Sequence, residues 1–235
     1  MANKQSNLKI LRLGEREVAL MLRRVRGARR MTLRLDEAAG AFHLSLPYGV
    51  ALAEGLDFAA RRRRWILAQL AALPPRVAFA EGAVIPLLGV PHVIRHDAGA
   101  RRGVWREAGT IRVSGFAEHL ARRVTDFLKA EARRELTARA HGKAAEIERR
   151  VAKVSLRDTR SRWGSCSAEG EIGFSWRLIL APEAVLDYVV AHEVAHLAHM
   201  NHGPRFWRLV ARLTPEVAGP RRWLKDNGCR LLRYG

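Results

Sequence analysis

The chain has 235 residues, 48% of them hydrophobic and 28% charged, the composition of a globular protein with one large core or two small ones. That excludes a disordered chain, and its most apolar stretch, Val185 to Met200, is broken by Asp187, His192, Glu193 and His196, far short of the roughly 18 apolar residues of a membrane span. The formal net charge of +19, nearly all of it arginine, points to contact with polyanions such as nucleic acid, nucleotides or acidic peptides, or to a compositional preference for arginine at solvated sites.

The first residues, MANKQSNLKI, lack the apolar core of a secretory signal, so a cytoplasmic location is expected. No repeat is evident. Met31, Leu33 and Leu35 alternate with Thr32 and Arg34, and Phe42, Leu44 and Leu46 alternate with His43 and Ser45. DEAAG between them reads as a hairpin connection. Residues 51–72 read as a helix containing Arg61 to Arg64, a solvated face or a nucleic-acid contact. Short apolar runs between Gly and Pro over 82–113 predict further strands. A long polar helix or helix pair follows over 116–150, with Gly142 as a candidate break.

Strands are expected near 160–167 and 171–176, joined by a turn at Ala168 to Gly170. Arg160 and Arg162 would then share a strand side, where they could grip a carboxylate or phosphate, or simply face solvent. Trp163 reads as packing beneath the next helix, and Gly164 as a bulge or a close approach of chain. Pro182 opens that helix, with Glu183 near its positive end. The class is α+β: a β-rich N-terminal region, 1–114, and a mostly helical region with a small antiparallel sheet, 115–235.

The chemistry lies in HEVAHLAHMNH, residues 192–202. His192 and His196 are four apart on a helix, so both rings leave one face and can converge on one ion. Glu193 stands about a hundred degrees round the wheel. It is poorly placed as a ligand but can reach a water on the ion. Two cysteines, Cys166 and Cys229, cannot build a cysteine-rich zinc site, so a metal here is held mainly by histidine. His199 would have to reach backwards past His196. His202 has the better route as third ligand, because Asn201 can end the helix in the left-handed conformation and Gly203 and Pro204 prevent its continuing. Three histidines leave a fourth position for water, the mark of a catalytic zinc site with Glu193 as base. Tyr188, one turn earlier, is a core tyrosine or a hydroxyl donor to the reacting carbonyl. Phe206 and Trp207 are expected to pin the loop carrying His202. Cys166 is expected to be an inert buried thiol rather than a redox switch.

TRSRWGSCS and the run IGFSWRLILAPEAVLDYVVAHEVAHLAHMNHGPRFW resemble the YgjP-like metallopeptidases, more distant relatives of the SprT-like and WLM-type zinc proteases. The resemblance is specific over about 155–207 and implies a zincin-like fold, His192, His196 and His202 as ligands of one Zn2+ per chain, and Glu193 as catalytic base. The family usually has Asn where Ser175 stands and Ser where Gly203 stands. The function expected is a zinc metallopeptidase acting on peptides or proteins. A metal-dependent nucleoside triphosphate pyrophosphatase is the alternative that the arginines suggest, and a nucleic-acid-associated basic protein or protease is a third.

Overall fold

The computed structural model describes residues 8–159 and 161–235. They form an α+β protein of two compact units that divide at Pro75/Arg76. In the first, β1 (Leu8–Leu13) and β2 (Arg16–Val25) pair antiparallel, β3 (Thr32–Asp36) and β4 (Ala41–Pro47) form the expected hairpin, and β4 runs parallel to β2. Leu33 opposes Leu44 and Leu35 opposes Phe42, so the alternation read from the sequence becomes one apolar face. Asp36 closes the turn, accepting hydrogen bonds from Ala39 on its side chain and Gly40 on its carbonyl. The predicted helix over 51–72 is two: α1 (Leu52–Ala60) and α2 (Arg63–Ala72), burying Ala59 and Ile66. The chain breaks at the arginine run. Arg61 pairs with Asp57 at 2.5 Å and Arg62 lies 3.8 Å over the Phe58 ring, so these two cations are occupied along their own helix.

The second unit opens with another four-stranded sheet, β5 (Val84–Leu87), β6 (Val90–Asp97), β7 (Val104–Glu107) and β8 (Thr110–Ser114). Its order, β5-β6-β8-β7, and its sequence of antiparallel, parallel and antiparallel pairings repeat those of β1-β2-β4-β3. The expectation of no repeat is therefore corrected. The echo is in the turns: Leu-Gly at 13–14 and 88–89, Gly-Ala-Arg-Arg at 27–30 and 99–102, and EAAG at 37–40 against EAG at 107–109. Strands need only alternating apolarity, so their residues diverge, whereas turns require particular residues.

Ile85, Leu87, Ile94, Ile111 and Val113 of this sheet share one core with α3 (Leu120–Ala145). The compact units part at 75/76, and the later strands of the β-rich stretch up to 114 share a core with the helices that follow. α3 buries every fourth residue from Leu120 to Ala144, and Gly142 lies within it rather than breaking it. A small sheet follows, with β9 (Lys153–Arg157), β10 (Gly164–Cys166) and β11 (Glu171–Ser175) in the order β10-β11-β9. β10 and β11 are the expected antiparallel pair, but the sheet is mixed, because β9 adds parallel to β11. Then come α4 (Glu183–Ala195), α5 (Pro204–Leu213) and α6 (Ala218–Leu231). No helix among the described residues is long and apolar enough to cross a membrane.

α4 is the centre of this unit. Pro182 caps it, with its carbonyl accepting from Val185 and Leu186. The β5–β6 turn braces this end: Leu88 donates to the Ile179 carbonyl at 2.7 Å, and Gly89, at φ +79°, leaves so little room that a Cβ would sit 2.8 Å from the Pro182 Cα. One turn further on, Asp187 meets Lys143 at 3.0 Å, Arg139 at 3.5 Å and the Thr214 hydroxyl at 2.9 Å, tying α4 to α3 and to the end of α5. Asp187→Ala takes the carboxylate from Lys143 and the acceptor from the Thr214 hydroxyl, while Arg139 keeps Glu135 and Glu183. The variant's unfolding free energy should fall by about 2–4 kcal/mol, read as a lower midpoint in urea denaturation.

Candidate metal centre

α4 is apolar nearly all the way round, burying Val185, Leu186, Val189, Val190 and Val194 together with Glu193. Ala195 is its last residue and His196 its C-cap, after which Leu197 to His199 continue in tight turns. The helix thus ends earlier than the sequence suggested. Asn201 is not left-handed either, since the positive-φ residues other than glycine are Leu88, Ala108 and Glu148 among the described residues. The reversal still takes place. Gly203 caps α5 with Pro204 in its first turn, and His202, just before it, is carried back over α4.

The three imidazoles converge. His202 Nε2 stands 3.1 Å from His192 Nε2, and one ring nitrogen from each of His192, His196 and His202 lies within 4.8 Å of the others. Nitrogens at about 2.0–2.1 Å around a tetrahedral ion are roughly 3.3 Å apart, so these separations bracket what a zinc ion needs. His199 does not join the cluster with its ring. Its carbonyl instead accepts from His196 Nδ1 at 3.1 Å, which fixes the ring and leaves Nε2 free as donor. Phe206, fully buried, sets its ring 4.6–5.0 Å from all three imidazoles, and Trp207 lies 5.9 Å from those of His192 and His202. These two aromatic rings pin the histidine loop as expected.

Electrostatics suits a cation held by neutral ligands. Burial, then the neighbouring His196, His202 and Arg221, lowers the His192 pKa to about 4, and burial likewise lowers that of His196. Both rings therefore keep a lone pair near neutrality. Burial pushes the Glu193 carboxyl up to about 7, against the pull of the Arg162 guanidinium. Glu193 fits because Gly164 has no side chain: a Cβ there would come within 2.4 Å of Oε1 and 2.7 Å of Cδ. The close approach expected at Gly164 is thus the cradle of this carboxylate.

The other candidates divide. Arg162 lies in the loop before β10 rather than on a strand, with its carbonyl accepting from the Thr159 hydroxyl, and its charge acts on Glu193. Arg160 lies outside the described residues. Tyr188 is buried, its ring 6.1 Å from His192, and burial raises its pKa, so it stays a protonated donor. Trp163 packs against Gly228 of α6. Burial, then Glu193, raises the Cys166 thiol to about 11, which leaves it an inert thiol. Ser175, where the family usually has Asn, is fully buried and its hydroxyl finds no partner among the described residues. Sequence reasoning missed Arg221. Its guanidinium lies over Trp207 at 5.3 Å, but nothing in the RRW run at 221–223 distinguishes it from the chain's many other arginines.

Two imidazoles from a buried helix, a third from the turn beyond it and a carboxylate beside them define the class of HExxH metal sites. The chain belongs to the YgjP-like family: the family model described as YgjP-like, metallopeptidase domain, matches residues 29–227. No curated protein and no solved structure matches it.

Three substitutions test the geometry. His202→Ala should abolish stoichiometric zinc binding and His199→Ala should keep it, as metal content per chain would show; the reverse pattern would move the third ligand. Gly164→Ala should retain zinc while displacing Glu193, with turnover reduced at least tenfold or so.

Proposed function

We propose that the protein is a zinc-dependent metallopeptidase, with one Zn2+ held by His192, His196 and His202 and Glu193 as general base. The observation that carries this reading is the convergence of three imidazoles beside one buried carboxylate that is not among them. The ion, when bound, supplies a Lewis acid that polarises the scissile carbonyl and makes a water acidic enough to ionise near neutrality.

The chain's own groups do the rest. The His199 carbonyl and Phe206 hold the rings in position. Glu193 accepts a proton from the attacking water as its oxygen bonds to the carbonyl carbon and the C=O electron pair moves onto the carbonyl oxygen. When the C–N bond breaks, the nitrogen keeps its electron pair and takes that proton from Glu193, so the products are a carboxylic acid and an amine. A carboxyl whose pKa is raised toward neutrality by burial suits both halves of this exchange.

Two features support a peptide or protein substrate. β10 is an edge strand, so an extended chain can pair along it, and Gly164 on it touches Glu193. The donor set is imidazole, without the carboxylates that Mg2+ prefers, which counts against a magnesium-dependent nucleotide hydrolase. Glu193→Gln should keep one zinc per chain and lose about 100-fold or more in turnover of a fluorogenic casein. Full turnover in that variant would remove Glu193 from the role of base.

A further inference from the structure

Tyr188 is 6% exposed, and its hydroxyl makes no hydrogen bond among the described residues. That oxygen is not sealed from solvent either, unlike the unpartnered Ser175 hydroxyl and Trp176 indole nitrogen. A phenol this deeply buried ordinarily finds an acceptor within the protein. Here the body of the ring packs in the core while its polar end is left open and unpaired. Among the described residues its ring meets that of His192 alone, at 6.1 Å. Phe206 and Trp207, which back the histidines, contact His192 but not the phenol.

Position on α4 decides where that hydroxyl can act. Tyr188, His192 and His196 recur at intervals of four, so the phenol shares the helix face of the ligands, one turn before the first of them. By the helical period, Tyr188 stands about 40° to one side of His192 and Glu193 about 100° to the other. Phenol and carboxylate therefore flank the line of ligands from opposite sides. A carbonyl lying over that line has the base on one side and the free O–H on the other. Its oxygen gains an electron pair when water adds, and a hydrogen bond from a neutral donor strengthens as that charge arrives. Burial keeps the phenol in its protonated form.

We propose that Tyr188 is a catalytic residue whose hydroxyl donates a hydrogen bond to the scissile carbonyl oxygen and stabilises the negative charge formed there. The assignment rests on the metallopeptidase reading. The oxygen of water bonds to the carbonyl carbon, its proton goes to Glu193, and the displaced C=O pair rests on the oxygen beside Tyr188 until the C–N bond breaks. The phenol keeps its own proton throughout.

The test uses the full-length, zinc-loaded protein and Tyr188→Phe, which removes only the hydroxyl. Because that oxygen has no partner to lose, neither zinc content nor thermal midpoint should fall. A phosphinate peptide, whose P–O− imitates the attacked carbonyl, should bind the wild type. In calorimetry Tyr188→Phe should bind it roughly 30-fold more weakly, the worth of one hydrogen bond to a charged group. An uncleaved peptide bound to Glu193→Gln should lose no more than about threefold in affinity when Tyr188→Phe is added. With a fluorogenic peptide, kcat should fall by about the factor seen for the phosphinate while KM holds, a split that a merely structural role does not produce. Equal phosphinate binding by wild type and Tyr188→Phe overturns this assignment alone. So does an equal loss of phosphinate and uncleaved peptide, the mark of a structural role. A chain that takes up no zinc, or a zinc-loaded wild type that does not bind the phosphinate, overturns the metallopeptidase reading and this assignment with it.

Discussion

Helix α4 is buried on nearly every side, so a polar group it carries is costly unless something from elsewhere in the chain answers it, and His192 Nδ1 has no hydrogen-bond partner among the described residues. Asp187 is met by Lys143 and Arg139 from α3 and by Thr214 from the end of α5. Glu193 is given room by a strand that has no side chain at Gly164, and the charge that opposes its burial is that of Arg162. His192 and His196 are met by His202 and by the aromatic floor of Phe206. Each contact also fixes the helix along or around its axis: Gly89 against Pro182 at its head, Asp187 near its middle, and the histidine loop at its foot. Burial thus sets the precision of the site, because a helix wrapped on all faces cannot shift without breaking several of these contacts together.

What was legible in the sequence follows from how local each signal is. His192, Glu193 and His196 lie within one turn and a third of helix, and their relative placement follows from the helical period alone. His202 required only a reversal after α4, and Gly203 with Pro204 mark one, even though the helix ended sooner and Asn201 took a different conformation from that expected. Gly164 was flagged as a place where chain comes close, but which side chain fills the space depends on how α4 lies against β10, and no spacing encodes that. β9 escaped notice because its partner is parallel and its burial is only partial, so neither a tight turn nor clean alternation announces it. Arg221 comes from a helix that reaches the centre through tertiary packing alone.

The duplicated sheet raises a different point. The two four-stranded sheets share order and pairing sense, yet the first lies in its own compact unit with α1 and α2, while the second is built into the core of α3 and α4. The same turn serves different ends in the two. Gly14, at φ +72°, leaves room that the flexible end of Arg63 fills, whereas Gly89, at φ +79°, presses on the backbone of Pro182. An arginine tip can move aside for a methyl group, but a proline backbone at the head of a packed helix cannot. The second copy has therefore become a structural support of the site, with correspondingly less freedom to vary at that glycine.

Charge gives the last constraint on the chemistry. Three neutral imidazoles leave the full double charge of a bound ion in place, whereas a carboxylate ligand would cancel part of it. The carboxylate nearest by is Glu193, and its partner in charge is Arg162 rather than the histidines' own rim. Arg221 adds a further positive charge on the side of His192 and Tyr188. Positive charge therefore reaches the centre from two sides, Arg162 at Glu193 and Arg221 at His192 and Tyr188. Burying one carboxylate against a glycine beside three imidazoles keeps the acid–base group apart from the ligand set, the separation on which the metallopeptidase reading rests.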